Sequence, residues 1–195
     1  MNYHNILHDD MRNGDGLRVT LFVSGCEHHC YNCQNPQTWD CNSGIEFDEE
    51  AKEEIFEQLN QDYISGITFT GGDPLHSNNL EEVQNLINQI RLLFPKKTIW
   101  LYTGYTVFVS SHDYVDALDD YEIKKSNYLY CKPTGSSAKE NLWRSGILNL
   151  VDVVVDGHYE EDKKDLSLQF RGSSNQRLIA VKESLEKGEI VLWNN

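Results

Sequence analysis

Apolar residues recur along this chain in two alternating rhythms. Residues 17–23 read Leu-Arg-Val-Thr-Leu-Phe-Val, β-branched and apolar, and predict a mostly buried strand. A helix is predicted over 49–60, with Asp48 as its N-cap and Ala51, Ile55 and Leu59 on one face. Residues 66–70 (Gly-Ile-Thr-Phe-Thr) predict a second strand. Leu80, Val83, Ile87, Ile90 and Phe94 then mark a second helix, closed by Pro95. Residues 98–102 predict a third strand, and a helix over 141–150 leads into another strand at 151–155. Strands alternating with helices imply an α/β fold, a parallel sheet joined by βαβ crossovers. At 195 residues the chain is expected to form one domain, 1–195.

Elsewhere the pattern is weaker. Tyr114, Leu118 and Tyr121 suggest a short helix, 127–131 an extra strand and 132–137 a loop. In the tail, Leu178, Val181 and Leu185 predict a helix ended by Gly188, followed by a last strand or apolar tail at 190–193.

Charge narrows the partners. Acids number 31 against 17 lysines and arginines, a net charge of −14, which disfavours a grip on nucleic-acid phosphates. The start, Met1-Asn2-Tyr3-His4, lacks a basic stretch followed by an apolar one, and no apolar run approaches a membrane span. A cytoplasmic setting is therefore expected, where thiols stay reduced. Five cysteines, an odd number, also fit poorly with a disulfide framework.

Three of those cysteines carry the candidate chemistry. Cys26, Cys30 and Cys33 are spaced C-x₃-C-x₂-C, with Glu27, His28, His29 and Asn32 among them. A core strand or helix would not tolerate such polar interleaving, whereas a loop around a soft metal requires it. Zinc and an iron–sulfur cluster both remain open. Zinc would need a fourth ligand, which Cys41, His28 or His29 can supply, whereas a three-cysteine cubane leaves one iron open. Cys41 and Cys131 stand apart and read as non-ligands, and His28 and His29 as solvent-exposed loop residues.

Each strand end carries Gly with polar company: Gly25-Cys26, Gly71-Gly72-Asp73, Thr103-Gly104 and Asp156-Gly157. In parallel α/β folds that edge lines the active site. His76 and His158 lie near it as polar surface, Asp156 can cap a turn there, and Trp100, Tyr102 and Tyr105 read as core and rim aromatics.

These features resemble the radical S-adenosylmethionine enzymes, whose hallmark is C-x₃-C-x₂-C after the first strand of a partial (β/α) barrel. Within them the chain is similar to the activating proteins of glycyl-radical enzymes, of the anaerobic ribonucleoside-triphosphate reductase type. The resemblance is carried by Asn13-Gly14-Asp15-Gly16-Leu17-Arg18, Leu21-Phe22-Val23-Ser24-Gly25-Cys26, Thr38-Trp39, Gly71-Gly72-Asp73-Pro74-Leu75, Trp100 to Tyr105, Asp152 to Gly157 and Arg171-Gly172-Ser173-Ser174-Asn175-Gln176. These stretches span nearly the whole chain, in order.

The resemblance implies an incomplete barrel of parallel strands. The clear strands are too few to close eight, leaving an opening suited to a loop of another protein. It makes Cys26, Cys30 and Cys33 ligands of a [4Fe–4S] cluster whose open iron takes the amino and carboxylate groups of S-adenosylmethionine. Backbone around Asn32, Cys33 and Gln34 would lie by the adenine, and Gly71, Gly72 and Asp73 by the methionyl amino end. No catalytic residue beyond the cluster ligands is implied. A side chain at Gly72 is expected to hinder S-adenosylmethionine and to leave the metal loop intact. The implied reaction is one-electron cleavage to a 5′-deoxyadenosyl radical, which takes hydrogen from a glycine Cα of the anaerobic reductase. An electron donor such as flavodoxin or ferredoxin would feed it. Asn32 departs from the aromatic usual in the superfamily, and 110–148 is longer than the family's connection, so it reads as an inserted segment. The alternatives are an activating protein of the pyruvate formate-lyase type or a radical enzyme acting on a small molecule.

Overall fold

The structure, a computed structural model, describes residues 1–116 and 122–194. The chain opens with β1 (Asn2–Asp10) and turns back into β2 (Arg18–Val23). After the cysteine loop come β3 (Ile45–Glu46), α1 (Glu49–Leu59), β4 (Gly66–Gly71), α2 (Leu80–Leu93) and β5 (Thr98–Tyr102). A hairpin of β6 (Phe108–Asp116) and β7 (Glu122–Tyr130) follows, then α3 (Ala138–Leu150), β8 (Val153–Asp156), β9 (Arg177–Ala180) and α4 (Val181–Lys187).

Seven strands form one sheet in the order β3-β1-β2-β4-β5-β8-β9, and β6 pairs with β7 separately. The inner four, β2, β4, β5 and β8, are parallel and stand in chain order. Right-handed crossovers that always advance in one direction lay their helices on one face of the sheet. Val19, Leu21, Ile67, Phe69, Ile99, Leu101 and Val154 accordingly share a core with Ile55 and Leu59 of α1, Val83 and Ile87 of α2, and Ile147 of α3.

The other face carries the alternate residues, polar or aromatic along most of β2, β4 and β5 and aliphatic (Val153, Val155, Leu178) along β8 and β9. Arg18 is wholly buried there. Its guanidinium donates to Thr68 Oγ1 (2.9 Å), Thr98 Oγ1 (2.9 Å), Asp15 O (2.9 Å), Ile67 O (2.7 Å) and Thr98 O (2.9 Å), and lies 5.4 Å from the Trp100 ring centre. Burial lowers its pKa to about 10. Farther along this face Trp100 packs edge-on against Phe170 and Trp193.

Local signals explain the helix ends. Asp48 accepts from Ala51 N (2.9 Å), and Ser137 with Glu140 forms a capping box at α3. Gly188, at φ 71, ends α4 in the left-handed conformation.

The sheet departs from the expected parallel set at both edges, where β1, β3 and β9 run antiparallel. The tail helix is shorter than predicted. Leu178 belongs to β9, facing Trp100 and Val155 while Ile179 faces the helix-side core, so period two wins over period 3.6 at that point. Leu192 bridges to Ile179 as an isolated contact. The strand predicted over 127–131 is the end of β7, which stops at Tyr130. Of the short helix predicted around Tyr114, Leu118 and Tyr121, Tyr114 falls in β6 and the other two lie outside the described residues. Among the described residues no helix is long and apolar enough to cross a membrane.

Candidate functional site

The C-terminal ends of β2, β4, β5 and β8 meet along one edge because the four strands are parallel neighbours. The loop after β2 is fastened at its base: Gly25 N–H donates to Thr38 O (2.7 Å) and Cys26 N–H to Trp39 O (3.0 Å). Within it His29 (φ 45) and Asn32 (φ 55) are left-handed. Asparagine tolerates that conformation better than bulky residues do, which gives Asn32 a physical reason to stand before Cys33.

Cys26, Cys30 and Cys33 are half-buried and free of disulfides. Burial pushes the Cys26 thiol up to about 12 and raises that of Cys30. Against this, backbone N–H groups favour the anion at two of them, His28 for Cys26 and Tyr159 for Cys30, and Asn35 N–H lies 3.4 Å from Cys33 Sγ. Among the described residues no three His, Cys, Asp or Glu side chains converge to hold a single metal ion. Asn32 and Gln34 are exposed on the loop.

The turn after β4 is bound to this loop. Gly72 N–H donates to Val23 O and Asp73 N–H to Gly25 O, each at 2.8 Å. Gly71, at φ 94, adopts a conformation that favours glycine. A Cβ on Gly72 would come within 2.6 Å of Gly25 O and 2.9 Å of Val23 O. A side chain there would therefore strike the base of the metal loop, contrary to the expectation that the loop would be spared.

Asp73 is buried and takes four hydrogen bonds. Its Oδ2 accepts from His28 Nε2 (2.6 Å), Thr103 Oγ1 (2.9 Å) and Gly104 N (3.0 Å), and its Oδ1 from Leu75 N (2.8 Å). Burial opposes its ionisation, but these donors outweigh it and hold the carboxyl below its ordinary range. Since a carboxylate only accepts, His28 carries its proton on Nε2. His28 Nδ1 lies 3.1 Å from His158 Nε2, within hydrogen-bond distance, and His158 Nδ1 faces Cys30 Sγ at 3.7 Å. Burial and neighbouring His28 lower the pKa of His158.

His28 is thus not the exposed filler expected. Its side chain is 6% exposed, and a Cβ on Gly104 would collide with its ring. His29 is exposed and packs edge-on against Trp39. Asp156 is structural, accepting from Val107 N (2.8 Å) and pairing with Arg177. Tyr102 OH donates to Phe170 O (2.7 Å), and His76 Nδ1 accepts from Asn78 N (3.3 Å) outside the loop. Cys41 Sγ accepts from Asn78 Nδ2 (3.2 Å), and Cys131 is buried in the core.

A cleft of about 440 Å³ opens beside the loop, lined by residues of the metal loop (Glu27, His28), of the β5 end (Gly104, Tyr105, Thr106) and by Pro133, Thr134 and His158. Tyr105 OH donates to the Glu27 carboxylate, joining loop and strand end. Glu27 was placed in the metal loop by its sequence but not on this cleft, and Thr106, Pro133 and Thr134 had no signal in the sequence, since nothing local distinguishes them from other loop residues.

Comparison with known proteins adds to this geometry. The family model described as a 4Fe-4S single cluster domain matches residues 12–179. A protein of Escherichia coli K12 is 38% identical over 178 residues, covering 90% of this chain and 96% of that protein. One of Enterobacteria phage T4 is 37% identical over 178 residues, covering 91% and 93%. A Haemophilus influenzae protein is 33% identical, covering 90% and 96%. All three carry the name anaerobic ribonucleoside-triphosphate reductase-activating protein.

Proposed function

Since the chain belongs to the 4Fe-4S single cluster family, and within it to the anaerobic ribonucleoside-triphosphate reductase-activating proteins, we propose that it installs a glycyl radical on such a reductase. The observation that carries the reading is the cysteine loop, clamped between parallel strand ends and opening on a cleft. In this reading residues 1–195 form one domain, with 110–148 inserted. The four consecutive parallel strands are the wall of a partial barrel, as their one-directional order supports.

Cys26, Cys30 and Cys33 would hold the [4Fe–4S] cluster. The donor chemistry fits, with three sulfurs on one loop and a backbone N–H directed at each. Asn32, Cys33 and Gln34 would flank the adenine of S-adenosylmethionine, and Gly71, Gly72 and Asp73 its methionyl end. Asp73 and His28 then act as positioning residues that lock the turn after β4 to the metal loop. Bound there, cluster and S-adenosylmethionine supply a one-electron cleavage that produces a radical able to take hydrogen from a glycine Cα. Electrons would come from a small donor protein such as flavodoxin or ferredoxin. The protein's own part is to hold the reacting groups in line and leave the cleft open to a backbone segment.

The test mixes the reduced, cluster-loaded protein with S-adenosylmethionine and the anaerobic reductase in the absence of oxygen. A doublet paramagnetic signal, split by one α-hydrogen, should appear only when all three are present. Admitting oxygen should then cut the reductase at one glycine. Cleavage of S-adenosylmethionine with neither signal nor fragment would point to another glycyl-radical enzyme or a small molecule as substrate.

A further inference from the structure

The loop 170–176 is built more rigidly than its surface position requires. Gln176 Oε1 accepts from Gly172 N (3.0 Å) and Ser173 N (3.2 Å), while its Nε2 donates to Gly157 O (3.1 Å). Asn175 Nδ2 donates to His158 O (2.7 Å), and the next residue, Tyr159, is the one whose N–H favours the Cys30 thiolate. At the other end Phe170 O accepts from Tyr102 OH at the close of β5. Arg171 therefore stands between the end of β5 and the flank of the metal loop, on the sheet face away from the helices.

Within this loop two polar atoms are buried without a partner, Arg171 Nε and Asn175 Oδ1. Among the described residues Arg171 makes one hydrogen bond, from Nη1 to Gln176 O (3.2 Å). Among the described residues it has no carboxylate within ion-pair distance, although the chain carries 31 acids. The fully buried Arg18 and Arg144 show how this protein satisfies a desolvated guanidinium, with donors placed on carbonyls and hydroxyls, whereas in the part-buried Arg171 the buried Nε has no such partner. A cationic fork left with an orphaned, desolvated N–H matches a planar anion that accepts two parallel bonds. Because Nε itself is buried, a small ligand held in the wall suits it better than an acidic side chain on a partner's surface.

We propose that Arg171 anchors the methionyl carboxylate of S-adenosylmethionine. The inference rests on the activating-protein reading and adds a binding residue to it. It is tested by equilibrium dialysis of the cluster-loaded protein against S-adenosylmethionine and against its decarboxylated analogue, with Arg171→Gln and Arg171→Met. Iron content and thermal melting serve as controls. The wild type should bind the analogue more weakly than S-adenosylmethionine. Each variant should lose about tenfold to a hundredfold in affinity for S-adenosylmethionine yet match the wild type on the analogue. Unchanged binding of S-adenosylmethionine, equal losses on both ligands, or loss of iron or fold in both variants would overturn the proposal. So would a loss confined to reductase affinity, which would put the carboxylate on the partner. A wild-type protein that loads its cluster and binds no S-adenosylmethionine would instead remove the activating reading itself.

Discussion

Cys26, Cys30 and Cys33 differ from the other two cysteines in what faces their sulfurs. A backbone N–H faces the sulfur at each of the three, whereas Cys41 Sγ meets an asparagine side chain and Cys131 is buried in the core, where desolvation pushes its thiol up to about 12. Alanine at Cys26, Cys30 or Cys33 should therefore abolish the visible iron–sulfur absorbance, and alanine at Cys41 should keep it. Cys131→Ala should also keep it, at a stability cost of about 1 kcal/mol for the small cavity. Complete iron loss from the Cys41 variant would reassign the ligands. At Gly72 an added side chain strikes Gly25 O, the acceptor of the Asp73 N–H bond. Gly72→Val should lower both iron loading and S-adenosylmethionine binding, measured as iron per chain and by dialysis. Full loading with normal cofactor cleavage would show that this contact does not shape the site.

Between single residues and the whole sheet lies the corner of β1 and β2. Asp10 accepts from Thr20 Oγ1 (2.7 Å), Asn13 Nδ2 (2.6 Å) and Arg12 N (2.8 Å), and Thr68 Oγ1 reaches Asn13 O (2.7 Å), so Arg18 and Asp10 belong to one polar layer beneath the sheet. Burial opposes ionisation of Asp10, but its three donors prevail and lower its pKa below the ordinary 3.8. A carboxylate with a depressed folded value contributes stability that is fully present above its unfolded pKa. That contribution is lost as pH falls through the folded value. Asp10→Asn should therefore be less stable than the wild type at neutral pH by about 1–3 kcal/mol, the cost of leaving buried donors poorly matched. The gap should narrow acid of the unfolded value. Urea midpoints from pH 3 to 7 check this, and a gap independent of pH would show that the charge of Asp10 contributes nothing.

At the scale of the molecule, one-directional strand order brings four loops to one edge, and hydrogen bonds tie the metal loop to the other three. Gly25 binds the turn after β4, His28 meets Asp73 and His158, and Tyr105 reaches Glu27. A cluster held by the native loop stabilises the folded state by linkage. Removing it with a chelator should lower the melting temperature by about 2–4 °C for each kcal/mol of binding advantage. Faster hydrogen exchange should be confined to 24–41, 71–79, 103–106 and 157–160, with the corner of β1 and β2 unchanged. Superimposable melting curves with and without the cluster would mean that the loop is ordered by protein contacts alone.

What the sequence by itself determined is what short range controls. The four parallel strands, α1 and α2 were legible because apolar period and caps act over a few residues, and Asp48 and Gly188 behave as their chemistry predicts. The spacing of Cys26, Cys30 and Cys33 likewise narrowed the chemistry to two soft-metal sites, since thiols four and three residues apart need no folding to share a loop. β1 was not legible: only Tyr3 and Asp10 of its residues are buried and most of its side chains are polar, so no apolar alternation marks it, and pairing with β2 and β3 makes it a strand. β9 emerged only because β8 offered an edge to pair with. The tertiary structure alone decided that His28 is buried on Asp73, 45 residues away, that His158 faces Cys30 across 128 residues, and that Arg171 Nε is buried with no partner among the described residues. Such contacts depend on which strand ends become neighbours, and no local pattern along the chain encodes that adjacency.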